Sequence, residues 1–205
     1  MIQITEIKAI EKGKQKVSFD TGISCFLYRG ELRGLHLEEN SYISLEQYEA
    51  ILKEIVGKRA KKRALYLLEK MDRTEQQLRD KLLLSEYPIQ CIEDAISYVK
   101  KFHYLDDYRY ACAYIHYHQE KLSKQQLKQK LFTKGVPKEL IEQALEAEFY
   151  SDESEQVREI LRKKKFEGAE KHSAEFRRIY QYLLRRGFSS SDILREMNRY
   201  EKEMD

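Results

Sequence analysis

Three stretches of this chain repeat one another, with drift, at a period close to fifty residues. They cover residues 73–96, 123–145 and 172–197. Apolar residues keep the same register in all three: Leu78 with Leu127 and Ile179, Leu82 with Leu131 and Leu183, and Ile92 with Ile141 and Ile193. A repeat of this length indicates one supersecondary unit used three times. Such an array offers an extended surface, which suits a long polymer or filament better than a small molecule.

The composition is typical of long helices joined by short connections. The 205 residues are 36% charged and include only 8 Gly and 2 Pro. The formal net charge is only +3, so an attraction to nucleic acid has to come from local clusters of cations.

We expect a cytoplasmic protein without a membrane segment. No run approaches the roughly 18 apolar residues of a membrane helix, and the first residues show no apolar core followed by a small-residue cleavage site. Cys25, Cys91 and Cys112 lack CxxC spacing, which predicts neither a disulfide framework nor a zinc site. We expect them to be buried or half-buried thiols.

Residues 1–57 form a small N-terminal element of different character. Short alternating runs are broken at residues 12–14 and 20–22, which are hairpin turn signals. A short helix is predicted over residues 30–35. Ser44 then opens a further helix through a capping box with Gln47, and Gly57 is predicted to close that helix and to end the first domain.

From residue 58 onward, apolar residues recur every three or four positions, as in amphipathic helices. The pattern predicts three helices in each of three repeats, over residues 58–104, 105–150 and 151–205. Thr74 and Ser123 fit capping boxes, and Asp106 is expected to cap the helix after it. The predicted fold is mainly α, with three tandem three-helix repeats forming an elongated curved array behind a small β-containing N-terminal element.

The turns between second and third helices also repeat. Gly135 and Gly187 occupy one repeat position, where a left-handed residue would end the second helix. Glu86 stands there in the first repeat, and a non-glycine in that conformation costs about 1 kcal/mol. We therefore expect a different or strained turn at Glu86. Pro88 and Pro137 are expected in the first turn of the helix that follows.

Short motifs along the chain resemble the RecX family, bacterial regulators of the RecA recombinase. The matching pieces are Ala64-Leu65-Tyr66-Leu67-Leu68, Arg73-Thr74-Glu75-Gln76-Gln77-Leu78, Leu105-Asp106-Asp107-Tyr108-Arg109-Tyr110-Ala111, Lys134-Gly135-Val136 and Leu184-Arg185-Arg186-Gly187-Phe188-Ser189. Their order and spacing cover nearly the whole chain. One departure is Leu122-Ser123-Lys124, where members of the family often carry a glycine-containing turn.

The resemblance implies a non-enzymatic protein, without cofactor, that lies in the groove of the RecA filament on single-stranded DNA. It implies damping of ATP hydrolysis, strand exchange and the promotion of repressor self-cleavage. A monomer with weak direct contact to DNA is expected. Whether it caps filament ends or lies along the groove, and whether it ever stimulates its recombinase, stays open at this point.

Clusters of cations are the candidate contacts to a filament or to DNA. They are Lys58, Arg59, Lys61, Lys62, Arg63, Lys121, Lys124, Lys128, Lys134, Lys171, Arg177, Arg178, Arg185 and Arg186. The run at residues 58–63 crowds the expected start of a helix, where cations oppose the macrodipole. It is therefore interpreted either as a contact to acidic protein or phosphate, or as a solvated surface run. The run at residues 162–165 ends a helix, where cations are favoured.

Arg178 and Arg185 are seven residues apart and therefore lie on one helical stripe. This stripe could present guanidinium groups to phosphates or carboxylates. The tyrosines Tyr66, Tyr98, Tyr110, Tyr114, Tyr117 and Tyr182 are interpreted as core, with base stacking as the alternative. No nucleotide-binding loop, HExxH or GxSxG motif occurs, so no enzyme is predicted.

Two other functions remain open from the sequence. A tandem helix-turn-helix-like protein would bind duplex DNA directly, although it would need its cations at an exposed helix N-terminus. A helical scaffold for another partner would leave the basic face unused.

Overall fold

The structure is a computed structural model that describes residues 1–11, 13–166 and 173–202. It divides into two compact units, the first ending at Asp106 and the second beginning at Asp107. The first unit contains the N-terminal element together with the first repeat. The division between them at residue 57 and the other repeat boundaries stay predictions.

Four antiparallel strands form one sheet in the first unit. They are β1 (Ile2–Ala9), β2 (Lys14–Phe19), β3 (Ser24–Tyr28) and β4 (Tyr42–Ile43), in the spatial order β3-β2-β1-β4. Gly13 and Gly22 have φ of 77° and 78° in the hairpin turns, as the turn signals predict. Alternate side chains of β2 and β3, such as Val17, Cys25 and Leu27, are buried.

One continuous helical segment connects the sheet to the first repeat. After the short helix α1 (Arg29–Gly34), α2 (Leu45–Ala50) runs into a π-helical stretch (Ile51–Gly57) and then into α3 (Lys58–Lys70). The prediction that Gly57 closes a helix is wrong, because Gly57 has helical dihedrals of φ −64° and ψ −43°. Its missing Cβ has a physical reason, since a Cβ there would lie 3.0 Å from the Leu52 carbonyl oxygen.

The first repeat is completed by α4 (Glu75–Leu83) and α5 (Ile89–Lys101). Its apolar face shares one core with the sheet, so that Ile4, Val17 and Leu27 belong to the same buried cluster as Ala60 and Ile92. The Cys91 thiol donates to the Leu52 carbonyl across 3.3 Å. The N-terminal element is therefore packed onto the first repeat as part of one folding unit.

The second unit holds two more repeats of three helices. The second comprises α6 (Asp107–His118), α7 (Lys124–Thr133) and α8 (Lys138–Glu148), and the third α9 (Glu153–Lys163), α10 (Ala174–Arg185) and α11 (Ser190–Lys202). Each has its own apolar core. The third also contains the buried carboxylate of Glu196, which accepts hydrogen bonds from Arg158 at 3.2 Å, Arg195 at 3.2 Å and Arg199 at 3.4 Å.

Two of the predicted caps, Thr74 and Ser123, are present in the first and second repeats. Thr74 accepts from the Gln77 amide at 3.2 Å and Ser123 from the Gln126 amide at 3.2 Å. Ser173, which was not singled out from the sequence, caps α10 in the same way. Each such bond satisfies an amide that the first helical turn leaves without a partner.

The turns after the second helices follow the repeat as well. Gly135 and Gly187 have φ of 84° and 80°, and Glu86 is strained at φ 54°. The Glu86 carboxylate forms an ion pair with the Lys16 ammonium at 2.6 Å. The two prolines Pro88 and Pro137 lie one residue earlier than expected, at the N-cap position before α5 and α8. The chain is thus mainly α, with three helical repeats behind a small antiparallel sheet, as predicted.

Candidate macromolecular interface

The cations of residues 58–63 lie inside a continuous helix and not at its start. The sequence interpretation that they oppose a helix N-terminus is therefore wrong, because helical structure extends back to Leu45. Lys58 pairs with Glu54 at 2.8 Å one turn earlier. Lys62 and Arg63 are exposed, and Lys61 lies 5.6 Å from the ring centre of Tyr98.

Arg59 is an internal contact of the first unit. Its guanidinium donates to Glu31 at 2.6 Å and to the Phe26 carbonyl at 2.8 Å, and it lies 4.9 Å from the ring centre of Tyr28. The side chain is only 25% exposed. These contacts hold α3 against β3 and α1, so Arg59 is engaged in packing.

The second repeat presents a thinner set of cations. Lys128 pairs with Glu142 at 2.7 Å, and this hydrogen bond lowers the pKa of the Glu142 carboxyl. Lys134 lies 5.3 Å from the ring centre of Tyr114, and Lys124 lies 5.9 Å from that of Phe149. Lys121 is exposed. These lysines line the side and both ends of α7, which is the arrangement that the sequence predicts.

The third repeat carries the clearest cationic stripe. Arg177, Arg178 and Arg185 are all exposed on α10, and the apolar face of that helix is buried through Phe176, Ile179 and Leu183. The closest carboxylate to Arg178 is that of Glu175 at 3.9 Å, and Arg178 remains 76% exposed. Lys171, predicted to belong to the same set, lies outside the described residues. The described arginines therefore project from one helix face into solvent.

Arg186, next in sequence, has a different environment. Its guanidinium donates to the Lys121 carbonyl at 2.9 Å and to the Tyr182 hydroxyl at 3.2 Å. Its own carbonyl accepts from the Ser123 hydroxyl at 2.6 Å. Arg186 thus connects the end of α10 to the start of α7, while Arg185 beside it is exposed.

A cleft of about 360 Å³ lies between the second and third repeats. Its cationic side chains are Lys121, Lys163, Lys164 and Arg186, and they are accompanied by Glu120, Glu159 and Tyr182. Lys164 lies 4.8 Å from the ring centre of Tyr182. The sequence interpretation of residues 162–165 as a helix end is confirmed, since α9 ends at Lys163.

The tyrosines predicted to be core divide into two groups. Tyr98, Tyr110, Tyr114 and Tyr182 are partly buried against the cores. The prediction is wrong for Tyr66 and Tyr117, which are 48% and 82% exposed. Helical spacing places residues on a face, but a ring long enough to reach past its neighbours can still meet solvent.

Sequence reasoning missed a second basic surface, on the outer face of the sheet. Lys14 is opposite Tyr28 and Lys16 is opposite Phe26 in the β2–β3 register. Lys14, Phe26 and Tyr28 line another cleft of about 360 Å³ together with Arg59, Arg63 and Glu86. The signal was available, because alternation in β2 and β3 sends Val17 and Leu27 inward and these residues outward.

Neither a metal site nor a membrane helix is found in the described part of the chain. None of its groups of His, Cys, Asp or Glu is arranged to hold a metal ion, and none of its helices is long and apolar enough to cross a bilayer. The exposed cations are suited to bind carboxylates and phosphates.

Family comparisons match all three helical repeats separately. The model for the first three-helix domain of RecX matches residues 60–98, that for the second matches residues 106–145, and that for the third matches residues 151–197.

Relatives and solved structures agree with these matches. The chain is 32% identical over 198 residues to the regulatory protein RecX of Caldanaerobacter subterraneus, covering 95% of this chain and 98% of that protein. It is 34% identical to the regulatory protein RecX of Clostridium acetobutylicum, covering 93% and 92%. A crystal structure of regulatory protein RecX superposes with a TM-score of 0.63 at 23% identity, covering 94% of this chain and 97% of that chain.

Proposed function

Because the chain belongs to the RecX family of regulatory proteins, we propose that it regulates the RecA recombinase by binding the RecA filament on single-stranded DNA. It binds in the helical groove and damps ATP hydrolysis, strand exchange and the coprotease activity in repressor cleavage during the SOS response. It acts as a monomer in the cytoplasm, where the filament forms. The support is the family, whose three helical domains match this chain in order.

The observation that best supports filament binding is the exposed arginine stripe on α10. Arg177, Arg178 and Arg185 are held in solvent by a helix whose opposite face is buried. A guanidinium group pairs equally well with a carboxylate of protein and with a phosphate of DNA. A filament of protein on DNA offers both groups along one groove. The exposed Lys62 and Arg63 on α3 and Lys121 beside α7 extend the same chemistry to the other repeats.

Many weak contacts of this kind suit a modulator. Each exposed ion pair contributes little, at most about 1 kcal/mol, and affinity grows because several pairs form at once. The interaction is then sensitive to salt, since exposed charges are screened over about 10 Å at 0.1 M salt. Such a regulator needs no catalytic chemistry of its own, because it only has to bind the filament and oppose the conformational changes of its subunits. Duplex DNA binding, the alternative from the sequence, gains no support from the comparisons.

ATP hydrolysis by the cognate RecA on single-stranded DNA tests the proposal. The protein is titrated from far below to equal stoichiometry with RecA. Inhibition at substoichiometric amounts is expected, because one molecule that spans or caps the filament affects several RecA subunits. An unchanged rate at equal stoichiometry would rule out the filament as target.

A further inference from the structure

The outer face of the N-terminal sheet carries two aromatic rings beside cations. Phe26 and Tyr28 are two residues apart on β3 and so lie on one face, about 7 Å apart along the strand. Lys16 and Lys14 stand opposite them on β2. Arg63 of α3 lines the same cleft from the side. The surface thus joins a pair of rings to cations contributed by two different elements.

The cations of this surface are only partly neutralised. Lys16 is paired with Glu86 at 2.6 Å and Arg59 with Glu31 at 2.6 Å. Among the residues that the structure describes, Lys14 and Arg63 form no ion pair and instead lie near aromatic rings. Lys14 is 3.6 Å from the ring centre of Phe26, and Arg63 is 5.5 Å from that of Tyr66. Both remain available to an anion at small cost, because exposed contacts between cations and rings are weak.

Packing does not account for the position of Tyr28. The inward residues of β3, Cys25 and Leu27, supply the core and are fully buried. Tyr28 is 46% exposed although Arg59 lies against part of it. Because Arg59 is fixed by Glu31 and the Phe26 carbonyl, it holds the ring in place from one side. The result is a pre-oriented, partly exposed Tyr28 ring beside the half-buried ring of Phe26.

Rings at this spacing beside free cations match the chemistry of an unpaired polynucleotide. Bases stack on aromatic side chains whatever their sequence, and lysine or arginine side chains bind the phosphates between them. Exposed aromatics on a four-stranded sheet can stack two or three bases. A duplex presents no free base faces, and a carboxylate would be repelled by the negative faces of the rings. The surface therefore favours single strands over a duplex or an acidic peptide.

We propose that this sheet face binds single-stranded nucleic acid, with unpaired bases stacked on Phe26 and Tyr28 and phosphates bound by Lys14 and Arg63. A base on Phe26 takes the place of the Lys14 ammonium, which turns to the neighbouring phosphate. This site goes beyond regulation of the recombinase, because it needs no RecA. It gives the N-terminal element a function of its own.

Binding of a fluorescein-labelled oligothymidylate to the full chain, measured by anisotropy without RecA, tests the proposal. Tyr28→Ala should weaken binding at least about fivefold, the loss expected from one stacked base, while Tyr28→Phe should keep the wild-type affinity. Lys14→Ala and Arg63→Ala should each lower the slope of log affinity against log salt by about 0.7, as for one lost phosphate contact. Tyr28→Ala should leave that slope unchanged.

Two control variants match these changes elsewhere in the first unit. Tyr42→Ala removes an exposed tyrosine from β4, at the other edge of the sheet, and Lys101→Ala removes an exposed lysine from α5. Neither should alter affinity. The proposal is overturned if Tyr28→Ala binds like wild type, or if Tyr42→Ala weakens binding equally. It is also overturned if a duplex binds as tightly as the single strand, or if polyglutamate binds with the same dependence on Tyr28.

Parallel titrations with oligothymidylate and oligouridylate identify the sugar that the site accepts. Equal affinities indicate a site that contacts only bases and phosphates. A higher affinity for one of the two oligonucleotides indicates an additional contact to the sugar, alongside the stacked bases. RecA is absent from this binding assay, so a negative result would not argue against inhibition of RecA. A negative result in the ATP-hydrolysis assay would likewise not argue against the nucleic-acid site on the sheet.

Discussion

At the scale of single residues, neighbours of the same type take opposite roles. Arg185 is exposed while Arg186 binds backbone and hydroxyl groups inside the second unit. Arg59 is fixed by Glu31 and the Phe26 carbonyl, and Arg63, one turn further along α3, is exposed. A run of cations in the sequence therefore contains both anchors and free charges. Only the three-dimensional contacts separate the two groups.

The thiols offer a residue-scale prediction that depends on pKa. Burial is the main cause that raises the pKa of Cys25 to about 12 and that of Cys91 to about 11. Since the thiolate is the reactive form, both should be inert in the folded protein at pH 8. We expect Ellman's reagent to titrate at most one thiol per native chain, the half-buried Cys112, and all three after unfolding.

The variant Cys112→Ser identifies that thiol. It should abolish the reaction of the native chain and leave two thiols in denaturant. A raised pKa also predicts the direction of the pH effect, because the neutral thiol is the form that folding favours. Stability from these two groups is present below their ordinary pKa and declines as the pH rises toward 11. Rapid reaction of two thiols at pH 8 in the native state would contradict this account.

At the scale of elements, caps and turns define where each repeat begins and ends. Thr74, Ser123 and Ser173 open the second helix of their repeats, and left-handed residues close it. Gly187 has an added constraint, because a Cβ there would lie 2.9 Å from both the Gln125 Cβ and the Ser123 Oγ. Gly22 has a similar φ, yet its Cβ would meet nothing within 4 Å.

These two glycines make a matched pair. Gly22→Ala should cost about 1 kcal/mol from its left-handed backbone alone. Gly187→Ala should cost about 2 kcal/mol or more, because overpacking adds to the same strain. Denaturant unfolding followed by circular dichroism, with separate transitions allowed for the two units, measures both. Equal losses of unfolding free energy in the two variants would show that α7 moves to accommodate the methyl group added at residue 187.

The sequence predicts most elements correctly because the helices of each repeat are specified by interactions between residues close together in the chain. Apolar spacing, the cap residues and the turn glycines all act within one or two helical turns. The helix through Gly57 could not be predicted, since its continuation depends on the burial of Val56 in the core that the first repeat shares with the sheet. Alternation in β2 and β3 indicates which side chains face outward, but the proposed sheet-face site also needed the register that places Lys14 opposite Tyr28. The expected curved arrangement of the three repeats stays a prediction.

At the scale of the whole molecule, the chain is nearly neutral, although single helices carry exposed clusters of cations. The net charge of +3 is small beside 38 cations and 35 anions. Many carboxylates form ion pairs within their own unit. Glu75 pairs with Lys100 at 2.7 Å, and Glu196 pairs with three arginines. The cations that remain exposed can then act together on a partner.

Reversal of two of these cations tests their joint action. The double variant Arg178→Glu and Arg185→Glu should need about tenfold more protein for half-inhibition of RecA ATP hydrolysis, as expected for a loss of about 1.4 kcal/mol. Lys53→Glu with Lys101→Glu changes the net charge equally at exposed positions outside the candidate set. That control should inhibit like wild type. Unchanged inhibition by the arginine variant would favour a scaffold whose basic face is unused.

The unbroken helical segment from Leu45 to Lys70 has a consequence for how such chains can evolve. The sheet and the first repeat share one core and one backbone segment, so neither has a surface ready to face water without the other. Loss of the N-terminal element would expose the apolar face of the first repeat to water, so we expect polar substitutions on that face in any relative that lacks the element.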